Sequence, residues 1–504
     1  MSGDLEALLS PRRTSGCSRG ASVSPRAGAS SPGGSPSSSD APIDLLATTL
    51  LFLFPALGGA LFGYDIGSSS GALVSLTSAQ TAGTDWYALS SVQSGLVVSS
   101  SLFGALGGSV LALVFGDRLG RKTELLSAGA LYGTAAVVCA SAASYPQLIV
   151  GRVLYGVGIG FAMHAAPAYI SETAPSRVRG LLISLKECAI VLGILLGYFA
   201  GYSFVGDVGG WRMIYGASGA GAALLVLGMS LIPESARWML FAGRPREEAR
   251  AALARSRGAS ARAEDVEREV EEMAALAGAG RQGAGVDFGP LFEPRYRAAL
   301  WAGMSLMLFQ QITGQPSVLY YAAQILQAVG FGTAEESTGL SVVLGLFKLI
   351  MTAVAVLYVD KAGRRPLLLG GVAALCASLF ALAAAQGGLL GASGPVVALV
   401  AFLLYVGAYQ ISFGPISWLI VGEVFPLAVR GQAIALATLI NFGSNFLVSL
   451  VLPSMQEVLG QSLTYAAFGS VAVLAVASIY LSVPETKGKS LEEIEEMMIG
   501  DKSS

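Results

Sequence analysis

The chain has 504 residues, 53% of them hydrophobic and only 13% charged, with a mean hydropathy of +0.64. A water-soluble core of this size would need far less apolar sequence, so the composition points to an integral membrane protein. A net charge of −2 gives no basic field for nucleic acid, and Cys17, Cys139, Cys188 and Cys376 show no ligand spacing, so they read as free thiols without a metal or redox role.

Residues 1–42 are rich in Ser, Pro, Gly and Arg and carry almost no large apolar side chains after Leu9, which predicts a disordered cytosolic tail. The Ser and Arg content would suit an organelle transit peptide, but Asp4 and Glu6 weigh against one. Asp4-Leu5-Glu6-Ala7-Leu8-Leu9 fits the acidic dileucine pattern read by vacuolar and endosomal sorting machinery. A vacuolar or endomembrane address is therefore favoured over the plasma membrane or plastid envelope.

Twelve apolar spans follow, each near the roughly 20 residues that cross the hydrocarbon as a helix. They are placed at 45–70, 90–115, 124–144, 147–170, 180–204, 212–232, 298–328, 338–359, 366–386, 395–422, 430–452 and 463–483. Residues 43–232 read as a first six-helix bundle and 298–484 as a second. A cytosolic linker of short amphipathic helices fills 233–297, and a tail takes 485–504. Arg118, Arg121, Lys122, Arg177, Arg179, Lys361, Arg364, Arg365, Arg430, Lys487 and Lys489 fall on one side, which places both termini in the cytosol.

The two halves repeat each other. Glu172, Pro175, Val178, Arg179 and Gly180 recur in register as Glu423, Pro426, Val429, Arg430 and Gly431, about 250 residues on. Asp117, Gly120 and Arg121 recur as Asp360, Gly363 and Arg364, and Pro233-Glu234 as Pro484-Glu485. Three matches in order at nearly constant offset argue for a duplicated bundle.

With Gln310-Gln311-Ile312-Thr313-Gly314, Gly414-Pro415-Ile416-Ser417-Trp418 and Pro484-Glu485-Thr486-Lys487-Gly488, this ordered set resembles the sugar porters of the major facilitator superfamily over about residues 45–490. Ser184-Leu185-Lys186-Glu187 and Gln315-Pro316-Ser317 look most like the plant vacuolar glucose transporter and xylose–proton symporter-like group. The resemblance implies an all-α membrane protein with twelve transmembrane helices in two pseudo-symmetric halves. It also implies a small-molecule sugar and a proton as partners, no cofactor or metal, function as a monomer, and no enzymatic activity.

Asp65 lies inside the first span, where a carboxylate costs roughly 2.5–3.5 kcal/mol on insertion scales. Arg152 in span four falls at a similar depth, so the two could meet. Arg152 would favour the ionised acid and a closed, dry cavity the protonated one, so a cycle that separates them could carry a proton. The alternative is a static ion pair. The resemblance adds that proton-coupled members have an acid here.

Gln310, Gln311, Gln315, Tyr320 and Tyr321 lie on span seven, which Gly314 and Pro316 should break. Neutral amides suit hydroxyls that both donate and accept. The resemblance assigns Gln310 and Gln311 to a sugar site, with Trp418 and Asn441 joining from spans ten and eleven. Glu187 and Pro316 depart from the residues common in the family. Glu187 is either a charged sugar acceptor or a second protonatable group.

Glu172 with Arg179, Glu423 with Arg430, Asp117 with Arg121 and Asp360 with Arg364 have spacings suited to cytosolic charge networks. Glu234, Arg237 and Glu485 complete a latch that holds the outward-open state. Topology-setting charge alone is the plainer reading. His164 is expected to be a packed, neutral, hydrogen-bonded histidine rather than a relay, Lys348 needs a partner, and Gly156-x-Gly158-x-Gly160 should serve close helix packing. The sequence thus supports proton-coupled transport of a monosaccharide, glucose first. Passive uniport is the nearest alternative and a non-transporting sensor a remoter one.

Overall fold

The computed structural model describes residues 44–175, 177–258, 261–279 and 288–499, and it is helical with no strand among them. The expected tail with its dileucine pattern and Cys17 lies outside the described residues, as do the side chains of Asp117 and Asp360. Lipid offers backbone N–H and C=O groups no partner, so a spanning chain must satisfy them within its own helices.

The first half comprises α1 Leu45–Thr77, α2 Ser91–Leu119, α3 Arg121–Ala140, α4 Tyr145–Thr173, α5 Arg179–Phe204, α6 Gly210–Gly216 and α7 Ser218–Leu231. Between the halves lie α8 Ala236–Phe241, α9 Arg246–Arg257 and α10 Ala263–Ala279. The second half comprises α11 Arg297–Ile312, α12 Gln315–Tyr320, α13 Ala322–Val329, α14 Ala334–Ala362, α15 Arg364–Gln386, α16 Gly394–Ile411, α17 Phe413–Val424 and α18 Leu427–Ser482, followed by α19 Leu491–Ile499.

Among the described residues ten helical stretches are long and apolar enough to cross a membrane. Two departures from regular helix bring the crossings to twelve. α18 reverses at Gly460, whose φ of 75° lies outside the helical region. Thr486 beyond its end donates to Glu423 just before its start at 2.6 Å, so both ends share one face. The seventh crossing is divided among α11, α12 and α13, with Gly314 at φ 88° making the first break. Span ten also breaks, at Ser412 rather than at the Gly414-Pro415 pair that follows.

The repeated motifs meet at equivalent places. Gly120 (φ 89°) turns α2 into α3, and Gly363 (φ 96°) turns α14 into α15. Glu234 then accepts from the Lys122 backbone N–H at 3.0 Å, while Glu485 accepts from those of Arg364 and Arg365, both at 3.1 Å. A carboxylate thus satisfies first-turn N–H groups that a helix leaves free and meets the positive end of its dipole. Only glycine fits each turn, because a Cβ would lie 2.7 Å from Glu234 Oε2 at Gly120 and 2.9 Å from Glu485 Oε2 at Gly363.

Every extended contact between the halves involves α1, α2 or α5. Phe62 meets Phe442 and Phe103 meets Phe446, with ring centroids 5.9 and 5.6 Å apart. Toward the ends remote from the basic loops, Ser91 donates to Glu457, the Ala323 N–H to Ser70 Oγ at 2.8 Å, and the Tyr198 hydroxyl to the Leu319 carbonyl at 2.9 Å. The halves are therefore joined at the face opposite the basic loops.

The linker helices enclose a small core of their own, including Ala249, Leu253, Val266 and Val270, and Arg257 Nη1 ties them to the Thr173 carbonyl at 2.6 Å. α19 falls in the stretch expected to be tail. It buries Ile494 and packs against α17 and α11.

Gly156 and Gly160 face α2, and Gly158 faces α3. A Cβ at Gly156 would lie 2.0 Å from the Ser101 carbonyl oxygen, whereas one at Gly107 meets nothing within 4 Å. Gly156→Leu should therefore destabilise by about 1–3 kcal/mol or more. It should unfold well below wild type in a thermal scan in detergent, while Gly107→Ala leaves the midpoint unchanged.

Candidate functional site

Asp65 on α1 and Arg152 on α4 are 2% and 1% exposed and form a direct ion pair. Further hydrogen bonds hold both side chains. Ser101 Oγ on α2 donates to Asp65 Oδ2 at 2.8 Å. Arg152 Nε donates to the Val97 carbonyl at 3.0 Å, and Nη2 donates to Ser69 Oγ at 2.9 Å. The guanidinium also stands 4.9 Å from the Tyr215 ring centroid. A cavity of about 10 Å³ lined by Tyr64, Ser68, Tyr155 and Ser218 adjoins the pair. That is about the room one water needs.

The second constellation gathers where α11 meets the α16–α17 break. Gln310 Nε2 donates to the Phe413 carbonyl at 2.8 Å, and its Oε1 accepts from Asn441 Nδ2 at 2.9 Å and Gln311 Nε2 at 3.4 Å. Gln311 Oε1, both amide atoms of Gln315, the Tyr320 hydroxyl and Ser417 Oγ are buried without a hydrogen-bond partner. Buried polar atoms left unpaired in this way suit a polar ligand. The fields of Asp65 and Arg152 reach Tyr320. Glu187 on α5 is half-buried, and its field reaches Tyr409 beside Gln310. Trp418 is 36% exposed on α17, while its neighbour Ser417 is buried.

On the basic face the pairings differ from those expected within each loop. Glu172 pairs with Arg121 at 3.3 Å and accepts from Ser235 at 2.5 Å, and Glu423 pairs with Arg364 at 3.3 Å. Arg179 turns instead to the Ala174 carbonyl at 3.4 Å, and Arg430 to the Phe425 carbonyl at 3.0 Å. Each arginine sits at a helix start and reaches back to a carbonyl of its own loop, which leaves each glutamate to the helix packed beside it. Arg237 lies over the Phe241 ring at 5.9 Å rather than beside Glu234. Each network lies within its own half.

Sequence reasoning missed Ser69, Ser101 and Gln410. The available signal was hydroxyl and amide groups inside apolar runs, such as Ser99-Ser100-Ser101. His164 Nδ1 sits 2.8 Å from the fully buried Glu124, and Lys348 donates to Gln410 Oε1 at 2.5 Å.

The sequence matches the family described as "Sugar (and other) transporter" over residues 51–498. The chain belongs to the sugar porters of the major facilitator superfamily. This sugar porter is 49% identical to D-xylose-proton symporter-like 2 of Arabidopsis thaliana, over 90% of this chain and 91% of that one. It is 48% identical to D-xylose-proton symporter-like 3, chloroplastic, of the same plant, over 92% and 84%. Among solved structures it resembles the inward-open xylose transporter XylE from E. coli, with TM-score 0.74 and 30% identity over 89% of this chain and 99% of that one. As a sugar porter it is a transporter and not an enzyme.

The two capping carboxylates of this porter differ electrostatically. Burial pushes Glu234 up, and the N–H groups of Lys122, Ser235 and Thr123 only partly offset it. Burial also pushes Glu485 up, but the backbone N–H groups of Lys487, Arg364, Arg365 and Thr486 outweigh it and hold the carboxyl below its usual value. A depressed folded value means stability that is present above the ordinary carboxylate range and lost as pH falls through the folded value. Glu485→Gln should therefore lower the thermal midpoint at pH 7, with the gap to wild type closing as pH drops below about 4. A gap that stays constant across that range contradicts this assignment.

Proposed function

We propose that this sugar porter moves a monosaccharide together with a proton by alternating access, with its basic face and both termini in the cytosol. The observation that carries the reading is the buried Asp65–Arg152 pair with Ser101 on the carboxylate. A buried carboxylate paired with a single guanidinium offers a place for a proton once that contact parts. Two halves that meet mainly through α1, α2 and α5 support a cycle in which they rock about the substrate. The proton works as driving force: at 100 mV one charge supplies about 2.3 kcal/mol, or about 50-fold accumulation.

The polar residues Gln310, Gln311, Asn441, Gln315 and Tyr320 are the proposed sugar site, with Glu187 contributed by the other half and Trp418 joining on closure. Glucose is the first substrate to test. D-xylose is the second reading, favoured by the names of the two plant relatives. The Arg121–Glu172 and Arg364–Glu423 networks are proposed to latch the cytosolic face when the two halves meet there, as two preformed ends.

Purified protein in proteoliposomes, given labelled glucose or xylose with and without an inward proton gradient, tests the coupling. Gradient-driven accumulation is expected in wild type, and Asp65→Asn should only equilibrate or exchange sugar. Equilibration by wild type whatever the gradient would make the protein a uniporter with a structural ion pair.

A vacuolar or endomembrane address is the proposed location, with the plastid envelope second because one relative is named chloroplastic. A fluorescent fusion should move off the vacuole in Leu8→Ala/Leu9→Ala. An unchanged vacuolar signal in that variant removes the dileucine argument.

A further inference from the structure

Lys348 lies midway along α14 and is 4% exposed. A cation at that depth is expensive and in general marks a working site. Its nearest support is uncharged: Nζ donates to Gln410 Oε1 at 2.5 Å and stands 5.5 Å from the Tyr409 ring centroid. An ammonium carries three N–H donors, and Gln410 takes one. Gln410 is itself buried, with Nε2 unpartnered.

These groups adjoin the candidate sugar cluster. Gln410 closes α16 just before the break at Ser412, and the first carbonyl beyond that break, Phe413, accepts from Gln310. Tyr409 lies beside Gln310. The acid whose field reaches Lys348 is Glu187, on the other half of the molecule. The interface between α5 and α14 runs past this point, since a Cβ at Gly345, one turn before Lys348, would meet Leu195 and Tyr198.

We propose that Lys348 is a specificity-determining residue of the sugar site, donating to substrate hydroxyls from one half while Glu187 accepts from the other. The inference rests on the monosaccharide-transport reading above. A neutral sugar satisfies both groups, because each hydroxyl can donate and accept. A sugar acid meets Lys348 favourably but sets a carboxylate against Glu187, so the balanced pair selects neutral sugars over uronates. A sugar spanning both groups also draws the halves together.

The test is counterflow in proteoliposomes with labelled D-glucose, D-xylose and D-glucuronate, using wild type, Lys348→Gln, Lys348→Arg and Glu187→Gln. Lys348→Gln should raise KM for the neutral sugar about tenfold with kcat within about twofold, and Lys348→Arg should restore most of the loss. Glu187→Gln leaves the cation unbalanced and should raise the glucuronate-to-glucose ratio of kcat/KM by about tenfold. An unchanged KM in Lys348→Gln, or a loss confined to kcat, overturns the inference while the transport reading stands. If Lys348→Gln does not fold, Glu187→Gln decides alone, and an unaltered glucuronate ratio overturns it. Absence of any sugar flux in wild type overturns the transport reading and this inference with it.

Discussion

Asp65 and Arg152 are almost wholly buried, and each is the other's counter-ion. Removing one partner of such a buried pair leaves an uncompensated charge, typically at a cost of about 3–5 kcal/mol. Here the guanidinium also takes Val97 and Ser101 from α2, Ser69 from α1 and the Tyr215 ring from α6. Four helices of the first half are thereby registered on one cation. Any motion that separates the pair must offer the carboxylate something in return, and a proton is the smallest ligand able to neutralise it. The same interaction thus holds the first half together and, in the proposed cycle, makes its opening conditional.

The duplicated motifs supply the stiffness such a cycle needs. In each half a glycine with positive φ reverses the chain, a glutamate caps the following helix, and an arginine from that helix reaches the glutamate ending a neighbour. Partly exposed pairs like these contribute little one by one. Their effect lies in geometry, since each fixes several helix ends to one another within a half. In the proposed cycle the halves move as bodies, with the joins at the opposite face as the pivot.

The spans were legible because lipid-facing helices leave a long apolar signature, and the basic loops between them mark one face. What escaped was local. The first break of the seventh crossing was signalled by Gly314, but Pro316 falls in the first turn of α12, the second break at Tyr321 had no signal, and the one at Ser412 preceded the Gly414-Pro415 pair. Pairing Glu172 with Arg179 followed nearness in sequence, whereas the fold sets Glu172 against Arg121 on a packed neighbour. Ser101 and Gln410 were invisible because one hydroxyl or amide in an apolar run carries no spacing that names its partner. α19 was read as tail because its amphipathic pattern is only nine residues long.

The broken seventh crossing connects the two constellations. Its first segment ends with Gln310 and Gln311 in the amide cluster, and its second carries Tyr320 into the field of Asp65 and Arg152. The third begins where the Ala323 N–H binds Ser70 on α1, just over a turn beyond Asp65. A continuous helix would hold these points rigidly along one axis. In the proposed cycle the breaks at Gly314 and Tyr321 allow the segment holding Gln315 and Tyr320 to tilt on its own. A sugar that pulls on the amides would then shift that segment, and through it the Ala323 segment bonded to the helix that carries Asp65. In the proposed cycle that gives the two binding events a short physical path, through backbone and hydrogen bonds, along which each alters the other's free energy.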